Sequence, residues 1–140
     1  MKKLITTLVG IMLILNITYA QSKKKSGKLD RKTYVCAVLP DGKKKANVDE
    51  LKFVSGTFQT KDMTDDGFKA AEYETTIDSS GAQPVISFTC TAKDDKEGTY
   101  EWTGKITGDD IEGTGKLTST KGKTKKSFSF TGSLKGKKTK

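Results

Sequence analysis

The chain is expected to fold as an all-β protein, a single antiparallel meander of about seven or eight strands closing into an up-and-down barrel. Three observations carry that expectation. Apolar and polar residues alternate through most of the chain after residue 33, and no segment keeps a helical period beyond about two turns. Turn signals separate the alternating runs: Pro40-Asp41-Gly42, Asp66-Gly67, Asp78-Ser79-Ser80-Gly81 and Gly108-Asp109. Glycines also recur within the runs, each two residues before an apolar residue: Ser-Gly-Thr-Phe from 55, Thr-Gly-Lys-Ile from 103, Thr-Gly-Lys-Leu from 114 and Thr-Gly-Ser-Leu from 131. Such glycines mark bends or rings packed on bare backbone, as in small, strongly coiled barrels. A two-layer sandwich is the alternative, but local hairpins favour the meander.

Taken in order, Thr33 to Leu39 is apolar and β-branched, and Pro40-Asp41-Gly42 ends it. Leu51 to Thr60 reads as one strand with a mid-strand glycine, and Ala46 to Asp49 could add a short strand before it. Lys61 to Gly67 reads as a loop, and Phe68 to Ile77 as the next strand. Pro84 opens another strand, at a strand start where its missing N–H costs least. Ile86, Phe88, Cys90 and Ala92 lie on one face of that strand.

The stretch from Thr99 to Ser119 is the most informative. With Gly108-Asp109 as a two-residue type II′ loop, Thr107 faces Asp110. One face then pairs Ile106 with Ile111, Gly104 with Gly113, Trp102 with Gly115 and Tyr100 with Leu117. The other pairs Lys105 with Glu112, Thr103 with Thr114 and Glu101 with Lys116. A slip of one residue would exchange the two faces, so this register is strongly specified. A turn at 121–124 would then set Phe128 opposite Leu117 and Phe130 opposite Gly115.

Met1-Lys2-Lys3, the apolar run Leu4 to Ile17 and Thr18-Tyr19-Ala20 have the three parts of a secretory leader over residues 1–20, with cleavage between Ala20 and Gln21. The run is shorter than a membrane span, and nothing later is apolar enough to be one. The expected organisation is therefore a leader, a basic disordered tail at 21–29, a barrel at 30–134 and a second basic tail at 135–140. The product would be periplasmic or secreted. In that compartment Cys36 and Cys90 are expected to form a disulfide.

The net charge is +9 over 140 residues and is unevenly spread. Residues 21–45 carry nine basic and two acidic residues, and residues 118–140 carry eight lysines and no acid. Between them, residues 46–117 hold seven lysines against fifteen acids. Binding of an anionic polymer would need the basic ends to converge in space.

The chain has no histidine, which removes the commonest general base and transition-metal ligand. The cysteines lack metal or redox spacing, and the acidic clusters at 62–66 and 94–97 do not fit a calcium loop. Asp109 and Asp110 are explained by turn chemistry. The expectation is a protein that is not an enzyme, with no cofactor and no metal. The remaining candidates for a site are Trp102, Tyr100, Phe88 and Phe130, which share a face and either fill the core or line a pocket for a small apolar or sugar-like ligand.

Asp49-Glu50-Leu51-Lys52-Phe53, Ser55-Gly56-Thr57-Phe58, Gly67-Phe68, Ile86-Ser87-Phe88 and the core W-x-G-x-x-x-G-D-x-I-x-G-T from Trp102 to Thr114 resemble a family of small, secreted, uncharacterised bacterial proteins. That resemblance spans about Asp49 to Gly136 and implies the compartment and a β-barrel, with no catalytic residue. Relatives in that family often carry cysteines just before the Gly-Phe step, whereas Lys61 to Asp66 has none. A more general similarity is to lipocalin- and avidin-like barrels. The segment Thr33-Tyr34-Val35-Cys36 resembles the opening of barrel-shaped periplasmic lysozyme inhibitors.

Three functional expectations follow. The first is a non-enzymatic binding or interaction module holding a small ligand against Trp102 and Tyr100. The second is a binder of anionic surface polymers through its lysine-rich ends, and the third a small periplasmic inhibitor. The protein is expected to be a monomer, with no span after processing and no nucleic-acid partner.

Overall fold

The computed structural model describes residues 27–136. Eight antiparallel strands close into a meander barrel: β1 (Lys32–Pro40), β2 (Asn47–Val54), β3 (Thr57–Gln59), β4 (Ala71–Asp78), β5 (Val85–Asp94), β6 (Gly98–Thr107), β7 (Asp110–Thr118) and β8 (Thr124–Leu134). One short helix, α1 (Lys61–Asp65), interrupts them. The expected leader at 1–20, its cleavage site at Ala20–Gln21, residues 21–26 of the first tail and residues 137–140 of the second lie outside the described residues.

The β6–β7 hairpin has the register that alternation dictates, from Thr107↔Asp110 through Trp102↔Gly115 to Tyr100↔Leu117, with Glu101↔Lys116 on the outer face. Gly108 takes φ +60°, the first position of its two-residue turn. In an up-and-down barrel, odd loops share one end and even loops the other. The β1–β2, β3–β4, β5–β6 and β7–β8 connections therefore share the end that α1 covers. The Ser55-Gly56 and Gly108-Asp109 turns lie at the opposite end.

Four expectations change. The long second strand is two strands, because Ser55 and Gly56 both have positive φ (50° and 78°) and turn the chain between Val54 and Thr57. Residues 61–65 are helical because Thr60 caps them and Met63 has a core to bury into. The β7–β8 pairing lies two residues from the expected one, at Phe128↔Gly115 and Phe130↔Gly113, with an irregularity at Leu117/Thr118. Face is kept and only height changes. A methyl on Gly115 would stand 2.2 Å from Phe128 Cζ, so bare backbone makes room for that ring. Lastly, the ordered unit begins before residue 30: Leu29 is fully buried, and the turn at Gly27–Asp30 stops the barrel end opposite α1.

The expected disulfide is absent. Cys36 and Cys90 are free, buried thiols. They stand on β1 and β5, four strands apart around the eight-stranded ring. Facing walls packed through side chains are about 10 Å or more apart, beyond a disulfide's Cα reach of about 7 Å. Burial holds each thiol up at about 12, from an ordinary 9.0, with the charge of Asp49 adding to the effect at Cys36.

Candidate functional site

The four aromatic candidates meet inside the barrel. Tyr100 and Trp102 stack at 5.6 Å with 19° between their planes, Trp102 lies 5.4 Å from Phe130, and Phe130 lies 6.4 Å from Phe88. Phe53 and Phe58, which alternation did not single out, and Phe128, which it placed on the face of Phe130, fill the gaps between them. Phe58 sits 5.2 Å from Trp102 and 5.5 Å from Phe88, Phe53 5.1 Å from Phe88, and Phe128 4.7 Å from Trp102. None of the four candidates exceeds 1% exposure, so no face of them is open to a ligand. Two donors in this interior, Trp102 Nε1 and Tyr34 Oη, have no hydrogen-bond partner among the described residues. Each such group costs about 1–3 kcal/mol, which aromatic burial offsets. Burial, with the charges of Asp109 and Cys36, pushes the Tyr34 phenol up to about 12.

The α1 end is built differently, from charges whose partners are far apart in sequence. Asp49 on β2 is buried and turns its carboxylate to the start of the helix. It accepts the amides of Lys61 (3.1 Å) and Asp62 (3.0 Å), besides that of Glu50 (2.7 Å). Thr60 Oγ1 accepts the Met63 amide at 3.0 Å. Three amides of the first turn are thus satisfied by side chains, which is how so short a helix holds together.

Asp62 reaches inward from α1. It accepts the Tyr100 hydroxyl at 2.6 Å and the Lys126 ammonium through both oxygens at 3.2 Å. Lys126 also meets Asp66 at 2.6 Å and lies 5.8 Å from the Tyr100 ring centre. Burial first, then Asp62 and the charges of Asp66 and Asp49, hold the Tyr100 phenol well above its ordinary 10.0. Burial alone would lower the pKa of Lys126, but Asp66 and Asp62 outweigh it and raise it. Tyr100 therefore stays protonated and Lys126 charged through the neutral range. The arrangement holds charge in place and offers neither group as a base.

Beside this network runs a groove of about 490 Å³, whose lining includes Val38, Pro40, Asn47, Val48, Phe128, Asp62 and Lys126. A second hollow of about 420 Å³ lies across Val48, between β2 and α1. Val48 stands between the two at 76% exposure. Two lysine-rich loops continue from the strands that line the first groove. The β1–β2 loop carries Lys43, Lys44 and Lys45, and the β7–β8 loop carries Lys121 and Lys123, all exposed. The bases of these hairpins are tied together, because the Asp41 amide donates to the Ser127 carbonyl at 2.9 Å and Ser127 Oγ bonds the Asp41 carboxylate. The nearby acids are already engaged: Asp62 and Asp66 by Lys126, Asp65 by Lys61, and Asp49 by helix amides. Among the described residues, no cluster of cysteine and carboxylate side chains is arranged to hold a metal ion.

Sequence reasoning missed this rim because its parts are scattered from Pro40 to Phe128. A faint signal was present, since lysines dominate two loops that a meander must bring to the same end. Searches against protein-family models, curated proteins and solved structures find no match for this chain.

Proposed function

We propose that the protein is a non-enzymatic binding module of the periplasm or cell exterior, engaging an anionic polymer or surface through the rim beside α1. The observation that supports this most directly is the juxtaposition of the Lys43–Lys45 and Lys121–Lys123 loops on adjoining hairpins tied at Asp41 and Ser127. Asp41, Asp49, Asp62, Asp65 and Asp66 carry five negative charges against two on Lys61 and Lys126, so the five loop lysines outweigh the remaining three and leave this rim positive by two. Binding there requires no opening of the packed aromatic interior. Val48 and the apolar groove floor would add contact for a ligand with both anionic and apolar parts.

The test is retention on a sulfated-polysaccharide column across a salt gradient. Replacing Lys43, Lys44, Lys45, Lys121 and Lys123 by serine should move elution to clearly lower salt, because fewer counterions are released on binding. Unchanged elution, or loss only when Lys137, Lys138 and Lys140 are replaced instead, would overturn the rim reading.

A further inference from the structure

Strand pairing gathers three of the five large apolar side chains exposed among the described residues into one patch. Val35 and Leu39 stand on the outer face of β1 on either side of exposed Ala37, and Ala37 pairs with Val48 of β2. On the other flank β8 sets Ser133, Thr131 and Ser129 opposite Val35, Ala37 and Leu39, so hydroxyls without charge border the patch there. Asp110 and Glu112, where acids return, lie one strand farther round the barrel on β7.

Both ends of this patch are basic. Past Leu39 and Val48 the chain enters the Lys43–Lys45 loop, which adjoins the loop of Lys121 and Lys123. Past Val35, Thr33 pairs with Lys52 and its carbonyl accepts the Lys135 amide. Those two lysines share a single acid, Glu50, at 3.4 and 2.6 Å. A shallow aliphatic surface therefore lies between two groups of lysines on one side of the barrel.

We infer that this side is the face by which the protein lies on an anionic lipid bilayer, with Val48 and Leu39 entering the headgroup layer and the flanking lysines on lipid phosphates. The inference rests on the rim reading of function and names its partner. A soluble polyanion would neutralise the lysines, but it brings no apolar phase to cover Val48 and Leu39. A second copy would set loop lysines against loop lysines if the strands ran parallel, and against Lys52 and Lys135 if antiparallel. The patch is also small for a protein partner. Three neighbouring strands and the rise from Val35 to Leu39 span about 10 Å by about 13 Å, against roughly 800 Å² on each side of a stable protein interface. A bilayer needs only a shallow apolar contact bordered by cations, whose stems reach past it to the phosphates.

The experiment is co-sedimentation with vesicles of phosphatidylcholine, with and without phosphatidylglycerol. The protein is expressed with its own leader and its resulting N-terminus is read by mass spectrometry. Wild type should sediment with the anionic vesicles and stay in solution with the neutral ones. Val48→Thr with Leu39→Thr should weaken partitioning about tenfold while leaving elution from the sulfated-polysaccharide column unchanged. Threonine keeps a side chain suited to a strand at two exposed positions, and an unchanged urea midpoint verifies the fold. A separate variant, Val48→Trp, should shift its emission to shorter wavelength on anionic vesicles, because Trp102 is already buried and does not respond. Equal partitioning of the double variant and the wild type would overturn the inference. So would retention on the column without vesicle binding, which leaves the rim to a soluble polyanion. Absence of both would overturn the rim reading itself and this inference with it.

Discussion

Along β5, β6 and β7 the ladders run unbroken, from Val85↔Thr107 to Asp94↔Gly98 and from Thr107↔Asp110 to Thr99↔Thr118. At the seam, β3 meets β4 at two residue pairs and β2 at three. The wall holds itself by backbone pairing and by rings set on glycine. The seam is held by two aspartates: Asp49 binds α1 to β2, and Asp30 binds the N-terminal turn to Gly56 and Tyr73. A short ladder leaves amides over, and a carboxylate is the compact group that accepts several at once. The wall should therefore fail by steric intrusion and the seam by loss of a single charge.

The largest effect is expected in the wall. A Cβ on Gly113 would stand 2.1 Å from the Thr103 carbonyl oxygen, which the ladder cannot move. Gly113→Ala should cost about 3 kcal/mol in urea unfolding. A cost below about 1 kcal/mol would show that the wall is more compliant than its ladders imply.

At the seam, Asp49→Ala should cost about 2–3 kcal/mol by leaving two helix amides unsatisfied, and Asp49→Asn distinctly less. Faster exchange of the α1 amides should accompany the loss, with the β6–β7 amides unchanged. Uniform loss across the barrel would erase the distinction between wall and seam.

Asp30→Ala should cost about 1–2 kcal/mol through the Gly56 amide and the Tyr73 hydroxyl. Tyr73 bears on this pair in a second way. Its phenol is held above 10.0 by burial first and then by Asp30, so its titration should begin at lower pH in the variant. Ultraviolet absorbance of the phenolate would follow that change.

The two thiols join wall and seam through a common pH dependence. Folded values near 12 against an ordinary 9.0 mean that above about pH 9 the unfolded chain loses protons that the native chain keeps. Stability from this source is complete below pH 9 and declines from there toward pH 12, and Cys36→Ser with Cys90→Ser should flatten that decline. Both thiols should resist alkylation in the native protein and react fully in denaturant without reductant. Protection that persists in denaturant and ends only on reduction would reinstate a disulfide.

The smallest effect belongs to the outer face of the hairpin. Lys116 and Glu101 meet at 3.5 Å with half of each side chain in water. Their coupling in a double-mutant cycle should be about 0.2–0.5 kcal/mol.

Much of the wall was legible in the residues themselves, because a hairpin is a local object. Alternation assigns the faces, and Gly108 permits the turn that fixes the register of Trp102 against Gly115. The common face of Trp102, Tyr100, Phe88 and Phe130 followed from the same rule. Whether those rings line a pocket or fill a core depends on Phe53 and Phe58, which arrive from β2 and β3, and on the height at which Phe128 is set. The β7–β8 offset was not legible because several loop lengths keep Phe128 and Phe130 on the same face, and only the fit of rings over Gly113 and Gly115 selects one.

By itself, then, the sequence determined the class of fold, the β6–β7 register and the segregation of lysines from acids. Tertiary structure decided that Cys36 and Cys90 stand on separate walls, that Asp49 builds a helix from a predicted loop, and that the loops of Lys43–Lys45 and Lys121–Lys123 spring from adjoining hairpins. The physical reason is range. Alternation and turn chemistry act between residues a few positions apart, whereas barrel closure brings together side chains whose partnership exists only once β8 has found β1.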